Sequence, residues 1–321
     1  MGNRLAVVDH AVATSELLKP FLAGQLSGNT ILAYQYDIAQ FFGLQDIRQL
    51  TLEHVRGVAL KDVVEYRNQL MATYRPATVN RKLSAVRSAF DYFVDAGVME
   101  RNPIKSKFVR GPKMSQESLT QGLTKEEAEK LLQQPNRNTL IGKRNYAMLL
   151  LMLHDGLRRA EACRLRCSDL KREGYYTVLH VLGKGGKLRT AKIKPVVMTA
   201  IADYLKARNV DLESAEAAKL PLFIGHAHGH VPWQGKIGNG LTGEALRQML
   251  LKYVRRAGIF KRIHPHSLRH TFTTLAIEGG AKIHQVQAAL GHVDPKTTMR
   301  YFRAYGNLQD NATDYVQLTA E

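Results

Sequence analysis

The chain has 321 residues, 45% hydrophobic and 23% charged, which excludes an intrinsically disordered polypeptide and, at about 100–200 residues per domain, implies two domains. No apolar run reaches the roughly 18 residues of a membrane span, Met1–Ser15 lacks the pattern of a secretion signal, and two cysteines are too few for a disulfide scaffold, which together suit a reducing cytoplasm and no membrane partner. The net charge of +18 is spread over both halves, with 15 basic against 10 acidic residues through Ser115 and 31 against 18 beyond; it points to a polyanion, although charge alone leaves a merely soluble basic surface open.

In chain order, the first part predicts a small helical bundle. Ile31, Tyr34, Ile38, Phe41 and Phe42 recur at helical spacing, as do Leu60, Val63, Val64, Leu70 and Met71. Val79, Leu83, Val86, Phe90 and Phe93 make a third stripe, stopped at Gly97. Arg81, Lys82 and Arg87 interleave with that stripe; they are read as projecting from other faces, either as a solvated surface or as phosphate contacts. Asn102-Pro103 ends the helix, and the stretch from Lys105 to Gly122 is basic and aperiodic, a linker whose Lys105, Lys107, Arg110 and Lys113 could follow a DNA backbone. The boundaries adopted are 1–113 for the first domain, 114–122 for the linker and 123–321 for the second.

The second domain opens with a capping box at Thr124 and Glu127. Tyr146–Leu153 reads as a buried helix. Tyr175–Leu182 and Leu188–Ile193 read as two strands joined by the turn Gly183-Lys184-Gly185-Gly186. After Gly243 the chain is helical again, broken at His264-Pro265 and Asp294-Pro295. The fold class expected is mainly α with a small antiparallel β-sheet.

Phosphodiester cleavage by a side chain needs a nucleophile, donors for the non-bridging oxygens, and proton transfer at both the attacking and leaving oxygens. Arginine suits the second task, because its planar fork matches two phosphate oxygens. Arg158 follows Gly156-Leu157 where a helix would start, and Glu161, three residues on, shares its face and can orient it. Arg159 beside it reads as a DNA or surface contact. Lys184 sits in the glycine-flanked turn, with Lys187 as its competitor. His266 and Arg269 lie one helical turn apart. His292 follows Leu290-Gly291, and Tyr301 comes after it, with Tyr305 nearby.

These segments, Gly156-Leu157-Arg158-x-x-Glu161, Gly183-Lys184-Gly185, His266-x-Leu268-Arg269-His270, Leu290-Gly291-His292 and Thr297–Tyr301, resemble in order and spacing the signature of tyrosine recombinases, the phage-integrase family. Thr78–Arg87 similarly resembles that family's core-binding domain. The resemblance implies an N-terminal helical core-binding domain and an α+β catalytic domain that clamp DNA between them. Arg158 and Arg269 would hold the scissile phosphate, Lys184 would protonate the leaving oxygen and His266 would act in acid–base transfer. His292 would hydrogen-bond the phosphate, and Tyr301 would attack to give a 3′-phosphotyrosine. It further implies a double-stranded DNA recombination site, a homotetramer on two such sites, a Holliday junction and no metal, ATP or other cofactor. Accessory DNA-bending proteins and a nucleoid-associated, cytoplasmic location belong to the same expectation.

Two positions depart from the family pattern: Asp155 stands where threonine is common before Gly-Leu-Arg, and Cys167 where tryptophan is common. Both concern packing rather than a reacting group. His226-x-His228-x-His230 lacks a fourth zinc ligand at suitable spacing and reads as a glycine-rich surface loop, and Cys163 and Cys167 as small buried residues. Two rivals share the reading of the residues: a catalytically silent DNA-binding or architectural protein of the same fold, and a type IB topoisomerase-like relaxing enzyme.

Overall fold

The computed structural model describes residues 14–24, 28–113, 121–183, 186–225 and 240–291. The chain divides into two compact units, Met1–Ser115 and Gln116–Glu321. None of the helices among the described residues is long and apolar enough to cross a membrane.

The first unit contains helices α1 (Thr14–Ala23), α2 (Gly28–Phe41), α3 (Leu52–Arg56), α4 (Leu60–Thr73) and α5 (Pro76–Asp95). Helix α5 is its axis. Pro76 occupies the first turn, where a missing N–H costs nothing. Val79, Leu83, Val86, Phe90 and Phe93 are all buried, as their spacing predicts. Phe90 meets the Phe41 ring edge-on at 5.6 Å, and Phe41 meets Tyr66 at 4.9 Å.

Lys82 corrects the sequence reading of this helix. It is 2% exposed rather than on an outer face, since position 82 lies three residues after Val79 and four before Val86, on the buried stripe itself. Its Nζ donates to Asp37 Oδ1 at 2.9 Å and to Gln40 Oε1 at 2.5 Å, and lies 5.1 Å from the ring centroids of Tyr36 and Tyr74. Lys82 therefore neutralises a fully buried carboxylate and is not positioned as a phosphate contact.

The basic stretch after Pro103 is not a free linker as far as Lys113. Ile104 and Val109 are buried in the first unit's core, Asn102 Nδ2 donates to the Arg87 carbonyl at 2.9 Å, and Asn80 Nδ2 donates to the Pro112 carbonyl at 3.0 Å. A short 3₁₀ turn and extended chain bury single apolar residues without leaving a period to read.

The second unit begins with α6 (Lys125–Leu132), whose Thr124 and Glu127 form the expected reciprocal cap, at 3.2 and 2.8 Å. Helix α7 (Leu140–Asp155) is buried along nearly its whole length, with Ala147 to Leu153 buried without interruption. It packs between α9 (Pro195–Ala207) and α11 (Pro265–Glu278). Between α8 (Arg159–Arg164) and α9 lies an antiparallel sheet in the order β1 (Leu170–Glu173), β2 (Tyr176–Leu182), β3 (Leu188–Lys192). Helices α10 (Gly243–Arg256) and α12 (Ile283–Leu290) complete it. The mainly helical fold with one small antiparallel sheet is the one expected. Strand β1 is absent from the sequence reading: apart from Leu170, which packs against the core, it is a charged, solvent-facing edge strand with no apolar alternation to betray it.

Candidate active site

Three chain reversals in the second unit bring the site together. Helix α7 ends at Gly156, in the left-handed conformation at φ 58°. A side chain there would be strained, and its Cβ would also stand 2.5 Å from Phe272 Cδ1 and 2.9 Å from Leu290 Cδ2. Two residues later Arg158 forms the N-cap of α8, with its side chain 35% exposed. Its backbone N–H donates to Glu161 Oε2 at 2.9 Å and its Nη1 to Glu161 Oε1 at 2.5 Å. The shared helical face of Arg158 and Glu161 thus becomes a two-point contact.

Glu161 is the hub. Its side chain is 4% exposed, yet Arg189 Nη2 also donates to Oε2 at 3.0 Å, and Arg269 Nη1 stands 4.0 Å from the same oxygen. Burial pushes this carboxyl up, but hydrogen bonds from Arg158 and the charges of Arg189 and Arg158 outweigh it, so the net direction is down. One buried carboxylate therefore faces three guanidiniums, and the cluster carries excess positive charge suited to an anion.

Arg269 is 1% exposed. Its Nη1 donates to the Gly156 carbonyl at 2.7 Å and its Nη2 to the Leu290 carbonyl at 2.6 Å, tying α11 to the ends of α7 and α12. His266, one turn earlier on α11, keeps an exposed edge. Partial burial, then the facing charges of Arg269 and Arg158, hold its imidazole below the ordinary histidine range. A histidine so placed stays neutral at pH 7 and can accept a proton.

Comparison with known proteins identifies the family. Residues 121–307 match the phage integrase family, and residues 20–97 match the phage integrase N-terminal SAM-like domain. The chain belongs to the tyrosine recombinase (phage integrase) family. Tyrosine recombinase XerD of Listeria innocua is 32% identical over 281 residues, covering 86% of this chain and 88% of that protein. Tyrosine recombinase XerC of Xanthomonas campestris is 32% identical over 300 residues, covering 91% and 85%. Among solved structures, a lambda integrase dimer bound to a COC′ core site superposes with a TM-score of 0.67 at 16% identity, covering 92% of this chain and 78% of that one. XerH recombinase bound to a palindromic difH substrate superposes with a TM-score of 0.66 at 20% identity, covering 86% and 76%. The last two likenesses concern the fold.

In this chain the structure brings Arg158, Glu161, His266 and Arg269 together. Lys184, His292 and Tyr301 lie outside the described residues, as does the His226/His228/His230 loop. Described residues flank two of them in sequence: Gly183, whose N–H donates to the Lys187 carbonyl at 2.8 Å, directly precedes Lys184, and Gly291, in the left-handed conformation at φ 60°, directly precedes His292. Among the described residues no group of three or more His, Cys, Asp or Glu could hold a metal.

Among the residues read as DNA contacts, Arg87, Lys107 and Arg110 line one open hollow of about 470 Å3 in the first unit, together with Lys105. Arg81 is half-exposed and its guanidinium pairs with Asp37. Arg159 is exposed, its side chain resting on Gly243. Cys167 is buried and Cys163 half-buried, and burial pushes both thiols up, so both are inert.

Two site residues were missed by sequence reasoning, Arg189 and Asp155. Strand β3 turns Arg189 and Ala191 inward and Leu188, Thr190 and Lys192 outward. An arginine at an inward strand position was the available signal, obscured by the neighbouring run of lysines. Asp155 was noted only as a departure from pattern. It is 7% exposed, and burial pushes its carboxyl up to about 7 against the opposing charges of Arg189 and Lys194.

Proposed function

We propose that this chain is a site-specific DNA recombinase that cuts and rejoins strands through a covalent 3′-phosphotyrosine on Tyr301 and a Holliday junction, without metal or ATP. The observation that carries the reading is the gathering of Arg158, Arg189 and Arg269 on the single buried carboxylate of Glu161, with a neutral His266 beside them. Such a cluster holds a phosphodiester and stabilises charge developing on its non-bridging oxygens. Arg158, solvent-facing and fixed at two points, takes one oxygen. Arg269 supports the other. His266 receives the proton of the attacking hydroxyl, Lys184 delivers one to the leaving 5′-oxygen, and His292 hydrogen-bonds the phosphate. Ester exchange conserves the bond energy, so the departing 5′-hydroxyl or that of a partner strand can reverse the step.

The partner is double-stranded DNA carrying a recombination site, engaged by a first domain of residues 1–113 and a second of 123–321, joined by 114–122. The basic hollow of Arg87, Lys107 and Arg110 supports a backbone contact from the first domain. Four copies on two sites, aided by DNA-bending proteins, would complete the exchange.

The test is a covalent trap. The protein is mixed with fragmented genomic DNA of its source and denatured, and the attached DNA is sequenced, with Tyr301→Phe run in parallel. DNA of shared sequence attached to the wild type and absent from the variant is the expected result. A gel shift without covalent attachment in either protein would replace this reading with that of a silent DNA-binding protein.

A further inference from the structure

Arg189 has more donors than the structure uses. Its side chain is 11% exposed, opposite Val181 on the inward face of the sheet. Nη2 is bonded to Glu161, while Nε and Nη1 are buried without a hydrogen-bond partner among the described residues. Across from it Asp155 Oδ2 is also buried and unpartnered, and Arg189 is the first of two cations that face this carboxyl, Lys194 being the second. The arginine's stem runs against Gly291 so closely that a Cβ there would stand 2.8 Å from its Cδ. Buried donors left unpaired are costly and call for an explanation.

The position supplies one. Arg189 lies one residue beyond the Leu182–Leu188 pair that ends the β2–β3 ladder, and Leu182 stands two residues before Lys184 in the sequence. It grips the carboxylate that orients Arg158. It abuts the residue before His292. We propose that Arg189 is a positioning residue for strand cleavage: clamped on Glu161 and packed on Gly291, it sets the Arg158–Glu161–Arg269 cluster in register with the end of the β2–β3 ladder and with the C-terminal end of α12. The inference rests on the function proposed above. A lysine would supply the charge but not a planar group that bonds Glu161 through Nη2 while holding two further donors, Nε and Nη1, in fixed directions.

The experiment uses a nicked duplex carrying the site recovered by the covalent trap. It measures DNA affinity, the single-turnover rate of covalent attachment at saturating protein, and the unfolding temperature. The proteins are wild type, Arg189→Met, Arg189→Lys, Glu161→Gln and the double variant Arg189→Met/Glu161→Gln. Arg189→Met is expected to bind DNA within about threefold of wild type and to cleave at least ~100-fold slower, with Arg189→Lys between. Because both residues act through one cluster, the double variant is expected within about threefold of the slower single variant. Cleavage by Arg189→Met within threefold of wild type, or multiplicative losses in the double variant, would overturn the proposal. Should Arg189→Met fail to fold, Arg189→Lys decides: at least tenfold slower at a wild-type unfolding temperature supports it, and wild-type cleavage overturns it. Absence of covalent complex from the wild type itself counts against the functional reading instead, and is scored ahead of the variants.

Discussion

Glu161 gathers charge that would otherwise repel itself, so its removal should reach further than one lost hydrogen bond. Glu161→Gln removes the carboxylate that Arg158, Arg189 and Arg269 share; breaking a buried ionic cluster in this way costs ~3–5 kcal/mol. Denaturant unfolding should show that loss. Asp155 gives a pH signature. Its folded pKa is raised from 3.8 to about 7, so the folded chain holds a proton that the unfolded chain releases. The resulting penalty is absent below the unfolded value, grows as pH rises, and is complete above about 7. Asp155→Asn should therefore raise the unfolding temperature more at pH 8 than at pH 5; an equal rise at both would contradict the burial argument. Lys82 and Lys107 separate structure from binding. Lys82→Met should destabilise the first unit by about 3 kcal/mol and leave the salt dependence of DNA binding unchanged, since its Nζ is already spent on Asp37. Lys107→Ala should leave stability alone and lower the salt slope by about 1. At this scale the sequence was legible wherever a residue's partner was local. Arg158 and Glu161 are three residues apart and their pairing followed from helical spacing. The partners of Lys82 and Arg189 lie 45 and 28 residues away, where no local pattern reaches.

At the scale of elements, helix ends do much of the positioning. Gly156 and Gly291 both adopt the left-handed conformation, and each is crowded by a neighbour of the site. The carbonyls of Gly156 and Leu290 then hold Arg269. Gly156→Ala should displace that carbonyl, because the new methyl meets Phe272 and the backbone is strained. We expect cleavage to fall more than tenfold with DNA affinity kept, read as attachment rate against gel-shift affinity. Elements with a strong period or cap were legible: α5 by its stripe, α6 by its capping box, and β2 and β3 by composition around a glycine turn. Strand β1 was not, because Leu170 followed by three charged residues on a sheet edge shows no alternation, and they owe their conformation to the ladder with β2 rather than to their own pattern. The fold of residues 105–113 onto α5 was hidden because Ile104 and Val109 are buried singly along a stretch with no period, beside an exposed Phe108.

For the whole molecule, the net charge of +18 governs encounter with DNA more than the chemistry. If on the order of six phosphates are neutralised, affinity should drop by ~10³-fold between 50 and 200 mM salt. The family was legible in the amino-acid sequence because five short motifs fall in one order, and the match over residues 121–307 spans all of them. Tyr301 is proposed to carry the cut strand, and mass spectrometry of the covalent complex after nuclease and trypsin digestion tests this first. A nucleotide joined through its 3′-phosphate to the peptide Tyr301-Phe302-Arg303 is the expected result. A nucleotide on any other peptide, or a 5′ linkage, would contradict it.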